Sequence, residues 1–178
     1  SILKPIAVGT ETGVYYDKDG NNANNTEEAY QHVLKNIREL VDEAEKYDVN
    51  VAVEGVHAFV INSPQRLARL VKDIDSPNMK VIFDPVNYIT ADNYKEQDKM
   101  ITEMFELLSD KIVSIHAKDF VVEDGAVKMV LPGEGMLNYK LITDLLKKNN
   151  MDIPIISESI PHENAKKGLD NIEKIMEG

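Results

Sequence analysis

Four metal-capable side chains each stand directly after a short apolar run: Glu54 after Val51-Ala52-Val53, Asp84 after Val81-Ile82-Phe83, His116 after Ile112-Val113-Ser114-Ile115, and Glu158 after Ile153-Pro154-Ile155-Ile156-Ser157. Alone, a Glu or Asp in such a place is usually a helix cap or a surface charge. A lone His there is more often a hydrogen-bonded structural residue. Four on four successive runs are hard to obtain as independent accidents, because burying a carboxylate without a partner is costly. Two Glu, one Asp and one His make a hard, oxygen-rich donor set with a single imidazole. That set suits one divalent ion: Mn²⁺, Mg²⁺, Co²⁺ or Zn²⁺.

The elements that must position these groups follow from the hydrophobic pattern. Short apolar runs alternate with helical patterns along the chain. The first run is Ile6 to Thr10, followed by an Asn-rich loop from Glu11 to Asn25. Thr26, with Glu27 and Glu28 behind it, is an N-cap with acids in the first turn, and the spacing predicts a helix from Glu27 to Tyr47. Val49 to Val56 is followed by Ser63-Pro64, a start signal, because proline at the first helical position has no donor to lose. Lys80 to Phe83 is followed by a helix over Tyr94–Leu108, and Ile112 to Ile115 by a hairpin over Phe120–Val130 that turns at Asp124-Gly125. A helix over Tyr139–Lys148, the run Ile153 to Ser157 and a last helix over Asn164–Met176 complete the series.

Strand–helix alternation of this kind predicts an α/β fold with a parallel sheet, and the continuous apolar runs predict strands covered on both faces. No Pro/Ser-rich linker divides the chain, so residues 1–178 are expected to form a single domain. In parallel α/β folds ligands bind at the carboxyl ends of the strands, where all four candidate ligands fall.

Composition narrows the function classes. The 178 residues are 43% hydrophobic, enough for a substantial core, and 31 acids against 20 bases leave a net charge of −11. That excess argues against a nucleic-acid backbone as partner, which needs a basic face. No apolar run approaches the roughly 20 residues that span a bilayer, so no membrane partner is expected. Ser1 to Ile6 shows neither the long apolar stretch nor the cleavage site of a leader. With no cysteine there are no disulfides, cysteine-ligated metals or thiol nucleophiles, and a reducing cytoplasm is the expected location.

Val53-Glu54, Phe83-Asp84-Pro85-Val86-Asn87, Ile115-His116-Ala117-Lys118-Asp119-Phe120 and Ile156-Ser157-Glu158 together resemble the xylose-isomerase-like TIM-barrel superfamily of sugar (phosphate) isomerases and epimerases. The His-x-Lys-Asp stretch and the order Glu…Asp…His…Glu are the most specific parts. Pro132-Gly133-Glu134-Gly135 followed by Leu137-Asn138-Tyr139 is similar to the family's Gly-x-Gly loop leading into the helix before the last strand. The resemblance implies that the four runs end the fifth to eighth barrel strands, and that Glu54, Asp84, His116 and Glu158 hold one divalent metal. It further implies isomerisation or epimerisation of a sugar or sugar phosphate through an enediolate, with Glu54 and Glu158 as the acid/base pair. Asn87, His57, Lys118 and Asp119 are candidate substrate contacts. Glu11 and His162 are further candidates at the same strand ends, and Phe59, Tyr88 and Phe120 are candidates for a pocket wall.

Three departures from the family pattern stand out. Many sugar epimerases have a His three residues after the sixth-strand Asp, where this chain has Asn87, which cannot shuttle a proton at neutral pH. The endonuclease-like branch needs further histidines in a His-x-His-type pair, and none of the four here stands in one. The chain also holds only five βα units, the equivalents of strands four to eight, whereas a closed eight-unit barrel needs about 250 residues. It is therefore expected to be a partial barrel, the carboxyl-terminal part of a longer protein. A five-stranded doubly wound sheet has less support, since Gly9-Thr10-Glu11-Thr12-Gly13 lacks phosphate-cradling spacing. The alternatives to an isomerase are an inosose-dehydratase-like lyase using the same ligands, or a non-catalytic barrel fragment. In the last case the open edge strands would drive self-association into a homo-oligomer.

Overall fold

The structure is a computed structural model and describes residues 4–177. The first residues of the segment in which no leader is expected, Ser1 to Leu3, lie outside the described residues, as does Gly178. The described residues group into two compact units. One holds those up to Phe83 together with Asp110–Val113, and the other holds Asp84–Ser109 and Ser114 onward.

In the first unit, β1 (Val8–Glu11), β2 (Val51–Glu54) and β3 (Met79–Phe83) are parallel neighbours, with Glu11 opposite Glu54 and Glu54 opposite Ile82. Helix α1 (Glu27–Glu45) starts at Thr26, whose side chain accepts from the Ala29 amide, and α2 (Pro64–Ile74) starts at Ser63, whose side chain accepts from the Arg66 amide. Their apolar faces pack together, with Tyr30, Val33, Ile37 and Val41 of α1 and Leu67, Leu70 and Val71 of α2 all buried. On the rim of that contact the Arg69 guanidinium lies 3.8 Å over the Tyr30 ring and pairs with Glu27 at 2.6 Å, and the Tyr30 hydroxyl donates to Asp73 at 2.7 Å. Hydrogen bonds from Arg69 and then Gln31 hold the Glu27 carboxyl down at about 2.

The second unit contains α3 (Gln97–Leu108), most of β4 (Ile112–Ala117), the antiparallel hairpin β5 (Asp119–Glu123) and β6 (Ala126–Val130), α4 (Tyr139–Lys148), β7 (Ile155–Ser157) and α5 (Ala165–Glu177). Strands β4 and β7 are parallel, with His116 opposite Ile156. The hairpin turns at Asp124-Gly125, both at positive φ, as the Asp-Gly pair predicts. The parallel strands follow the order β1-β2-β3-β4-β7.

The expectation that every strand is covered on both faces needs correction. β2 is buried throughout, but Val8 of β1 is 54% exposed and Ile156 of β7 is 46% exposed. These strands lie at the two ends of the order, each with a neighbour on one side only. The last strand also starts later than expected. Pro154 has no N–H for a ladder, and its carbonyl accepts from the Ile115 amide at 3.1 Å just before β7 begins. Among the described residues, no helix is long and apolar enough to cross a membrane.

Candidate metal centre

Asp84 follows β3 directly and is completely buried. Its Oδ1 accepts the Asn87 amide at 3.1 Å, which pins the tight 3-10 turn Val86–Tyr88 that Pro85 opens. His116 lies near the end of β4, and Glu158 follows β7, where its amide donates to the Ala117 carbonyl at 3.4 Å. These backbone pairings bring side chains that are far apart in sequence to one place. Asp84, His116 and Glu158 each offer one ligand atom, and these atoms lie within 4.8 Å of one another. His116 Nδ1 is 2.6 Å from Glu158 Oε2. Two carboxylate oxygens and one imidazole nitrogen converging at this range form a donor set that fits a divalent cation of the Mn²⁺, Mg²⁺, Co²⁺ or Zn²⁺ kind.

Lys118 lies at the heart of this group. It is only 7% exposed, and its Nζ reaches Asp84 Oδ2 at 2.8 Å, Glu158 Oε2 at 3.2 Å and Asn87 Oδ1 at 3.2 Å. Burial works to lower its pKa, but the facing Asp84 and Glu158 carboxylates outweigh burial and raise it, so the ammonium form is favoured. As a substrate contact Lys118 is constrained, because its ammonium is already engaged by three side-chain acceptors.

Asp119, also a candidate substrate contact, serves the backbone instead. It is 1% exposed, and its two carboxylate oxygens accept four amides: Phe120 at 2.8 Å, Gly133 at 2.9 Å, Gly135 at 3.0 Å and Leu137 at 2.9 Å. Burial pushes its pKa up while these four amides pull it down. Gly135 is required here, since a Cβ would collide with the Asp119 carboxylate and the Phe120 carbonyl. The Pro132–Gly135 loop is thus gathered around one buried carboxylate. Tyr139, which closes the stretch after the Gly-x-Gly-like loop, donates its hydroxyl to the Lys118 carbonyl at 2.6 Å and fixes the backbone between His116 and Asp119.

Glu54 ends β2 in the first unit and is 6% exposed. His57, in the loop after β2, and His162 are exposed, as is Glu11 at the end of β1. Asn87 is half-buried beside Lys118. Of the three pocket-wall aromatics, Phe120 and Tyr88 are buried and Phe59 is half-buried.

The model of the xylose isomerase-like TIM barrel family matches residues 7–175. The chain belongs to this family. Its α/β architecture of five parallel strands is accordingly a partial TIM barrel. An uncharacterized protein of Methanocaldococcus jannaschii is 28% identical over 159 residues, which cover 87% of this chain and 52% of that protein. The chain therefore spans about half the length of the curated relative it matches. A D-tagatose 3-epimerase-like protein superposes with a TM-score of 0.75 at 22% identity, covering 96% of this chain and 62% of that one. The IolI protein with a bound zinc atom superposes at 0.73 with 18% identity, covering 95% and 60%. At these identities the two likenesses speak to the fold.

Proposed function

We propose that this chain carries the metal centre of a divalent-metal-dependent sugar or sugar phosphate isomerase or epimerase, which moves a proton on a carbon next to a carbonyl. The observation that carries the reading is the convergence of Asp84, His116 and Glu158 within 4.8 Å. Family membership supports it, as do the likenesses to a D-tagatose 3-epimerase-like protein and to a zinc-bound IolI protein. In this reading Glu54, at the end of β2, is the fourth ligand. The partner is a small sugar or polyol in the cytoplasm rather than a nucleic acid or a membrane.

Burial divides the roles. Asp84 is wholly enclosed, so it acts as a ligand and not as a base. The Glu158 side chain is 41% exposed and can reach a substrate carbon. Glu54 and Glu158 form the acid/base pair, one taking the proton and the other returning it. Asn87 offers its amide to a sugar hydroxyl, and exposed His57 is a further substrate contact in this reading. A divalent cation bound here supplies Lewis-acid polarisation of the carbonyl and its neighbouring hydroxyl. Titration calorimetry with Mn²⁺ tests the centre: the wild-type chain should bind one ion and Glu158→Gln at least about tenfold more weakly. Equal affinities would remove Glu158 from the site.

Exposed Val8 on β1 and Ile156 on β7 favour a second reading, a barrel segment that pairs its end strands with a second copy. Sizing by light scattering decides on it. Dimers or larger assemblies are expected, and a monodisperse monomer at micromolar concentration removes it.

A further inference from the structure

Lys118 has a geometry that an ordinary substrate-facing lysine does not need. The residue is more than nine-tenths buried, and its ammonium's acceptors are Asp84 Oδ2, Glu158 Oε2 and Asn87 Oδ1. Two of these three are carboxylate oxygens of the proposed ligand set, and Glu158 Oε2 is the same atom that meets His116 Nδ1. An ammonium has three protons, and three acceptors lie around this one. We infer that Lys118 is a tethered cation that shares Asp84 and Glu158 with the divalent ion and thereby sets how tightly the centre holds its metal.

This inference rests on the metal-centre reading above and adds a direction to it. One lysine charge a few ångströms from the ligand oxygens reduces their net negative charge and repels a second cation, strongly so in a poorly solvated site. The Lys118 backbone is held by its neighbours. Asp119 is fastened to four amides and the Lys118 carbonyl accepts the Tyr139 hydroxyl, so the backbone that carries the ammonium stays beside the ligand carboxylates when a metal arrives. Lysine and metal then divide the carboxylate oxygens between them, and the centre selects ions that compete well against a fixed charge. Asn87 is the acceptor that retains the ammonium when a carboxylate turns toward the metal. This gives a role to the Asn that stands three residues after Asp84.

The sign of one mutation separates this role from simple positioning. A residue that only orients ligands weakens metal binding when removed, commonly by about 10- to 100-fold. A tethered competing cation strengthens it. Calorimetry with Mn²⁺ on Lys118→Met should therefore show binding about 10- to 100-fold tighter than wild type. Lys118→Arg keeps the charge and should stay closer to wild type than Lys118→Met. In chelator, Lys118→Met should melt at a lower temperature than wild type, and saturating Mn²⁺ should restore it, because the divalent ion replaces the lost charge. Unchanged or weaker binding by Lys118→Met overturns the inference. So does an Arg variant that binds as tightly as the Met variant, or a Met variant that stays unfolded in saturating Mn²⁺. A wild-type chain that binds no Mn²⁺ instead defeats the metal-centre reading.

Discussion

An Asp84→Asn chain should lose detectable Mn²⁺ binding and about 3–5 kcal/mol of folding stability. Asp84 is completely buried and its Oδ2 lies 2.8 Å from the Lys118 ammonium, itself 7% exposed. Asparagine is nearly isosteric, so the Asn87 amide keeps an acceptor and the turn after β3 is retained. What disappears is one negative charge in a poorly solvated place. Lys118 is left with Asn87 and the partly exposed Glu158, and a buried cation deprived of its closest partner is among the costly outcomes of a single substitution. The same change removes a hard oxygen anion from the ligand set, which amide oxygen replaces poorly. Urea unfolding measures the stability loss and calorimetry the metal loss. A stability change under about 1 kcal/mol would mean that the Asp84–Lys118 pair behaves like a solvated surface pair. Retained Mn²⁺ affinity would take Asp84 out of the centre.

The second large effect is expected at Asp119. Replacing it with Ala strips the acceptor from four amides, those of Phe120, Gly133, Gly135 and Leu137. An orphaned buried donor costs about 1–3 kcal/mol, and a small domain holds only about 5–15 kcal/mol in all. The amides of Phe120 and Leu137 are buried whereas Gly133 and Gly135 are exposed, so the loop from Leu131 to Leu137 should open to hydrate its donors and the chain should lose at least about 2 kcal/mol. Gly135→Ala should act in the same direction, because its methyl group would occupy the space of the Asp119 carboxylate. Hydrogen exchange read at Gly133, Gly135 and Leu137, together with the urea midpoint, checks both variants. Protection unchanged at these amides would show that the carboxylate does not hold the loop. Since Asp119 follows Lys118 directly, Asp119→Ala should also disturb metal binding, and Asp84→Asn should leave the loop amides protected. The two variants thus separate the support from the centre.

Much of the fold is legible along the chain. Ser63-Pro64, Thr26 and Asp124-Gly125 each mark a boundary through the geometry of one or two residues, so helix starts and the hairpin turn fall where expected. The metal-capable residues are equally visible, because a strand buried among helices must be apolar until its end, and an acid or His interrupting the run there stands out. Open ends of the sheet are expected from the count of five units, but not from the end strands themselves. Val8 and Ile156 are as apolar as core residues, and nothing local marks that a neighbouring strand is present on one side only.

Lys118 and Asp119 mark the division most clearly. Their adjacency to His116 marks the stretch as a candidate site, and residue type with spacing along the chain is sufficient for that, as it is for the α/β class. Spacing could not assign their separate tasks. The ammonium of Lys118 meets an Asn87 that lies 31 positions earlier, and the Asp119 carboxylate gathers amides 14, 16 and 18 positions later. Charge pairing and amide capture act over about 3 Å in space, and folding alone brings such distant positions within that range. Two neighbouring residues thereby become different things: one a cation held between the Asp84 and Glu158 carboxylates, the other the anchor that holds the adjoining backbone.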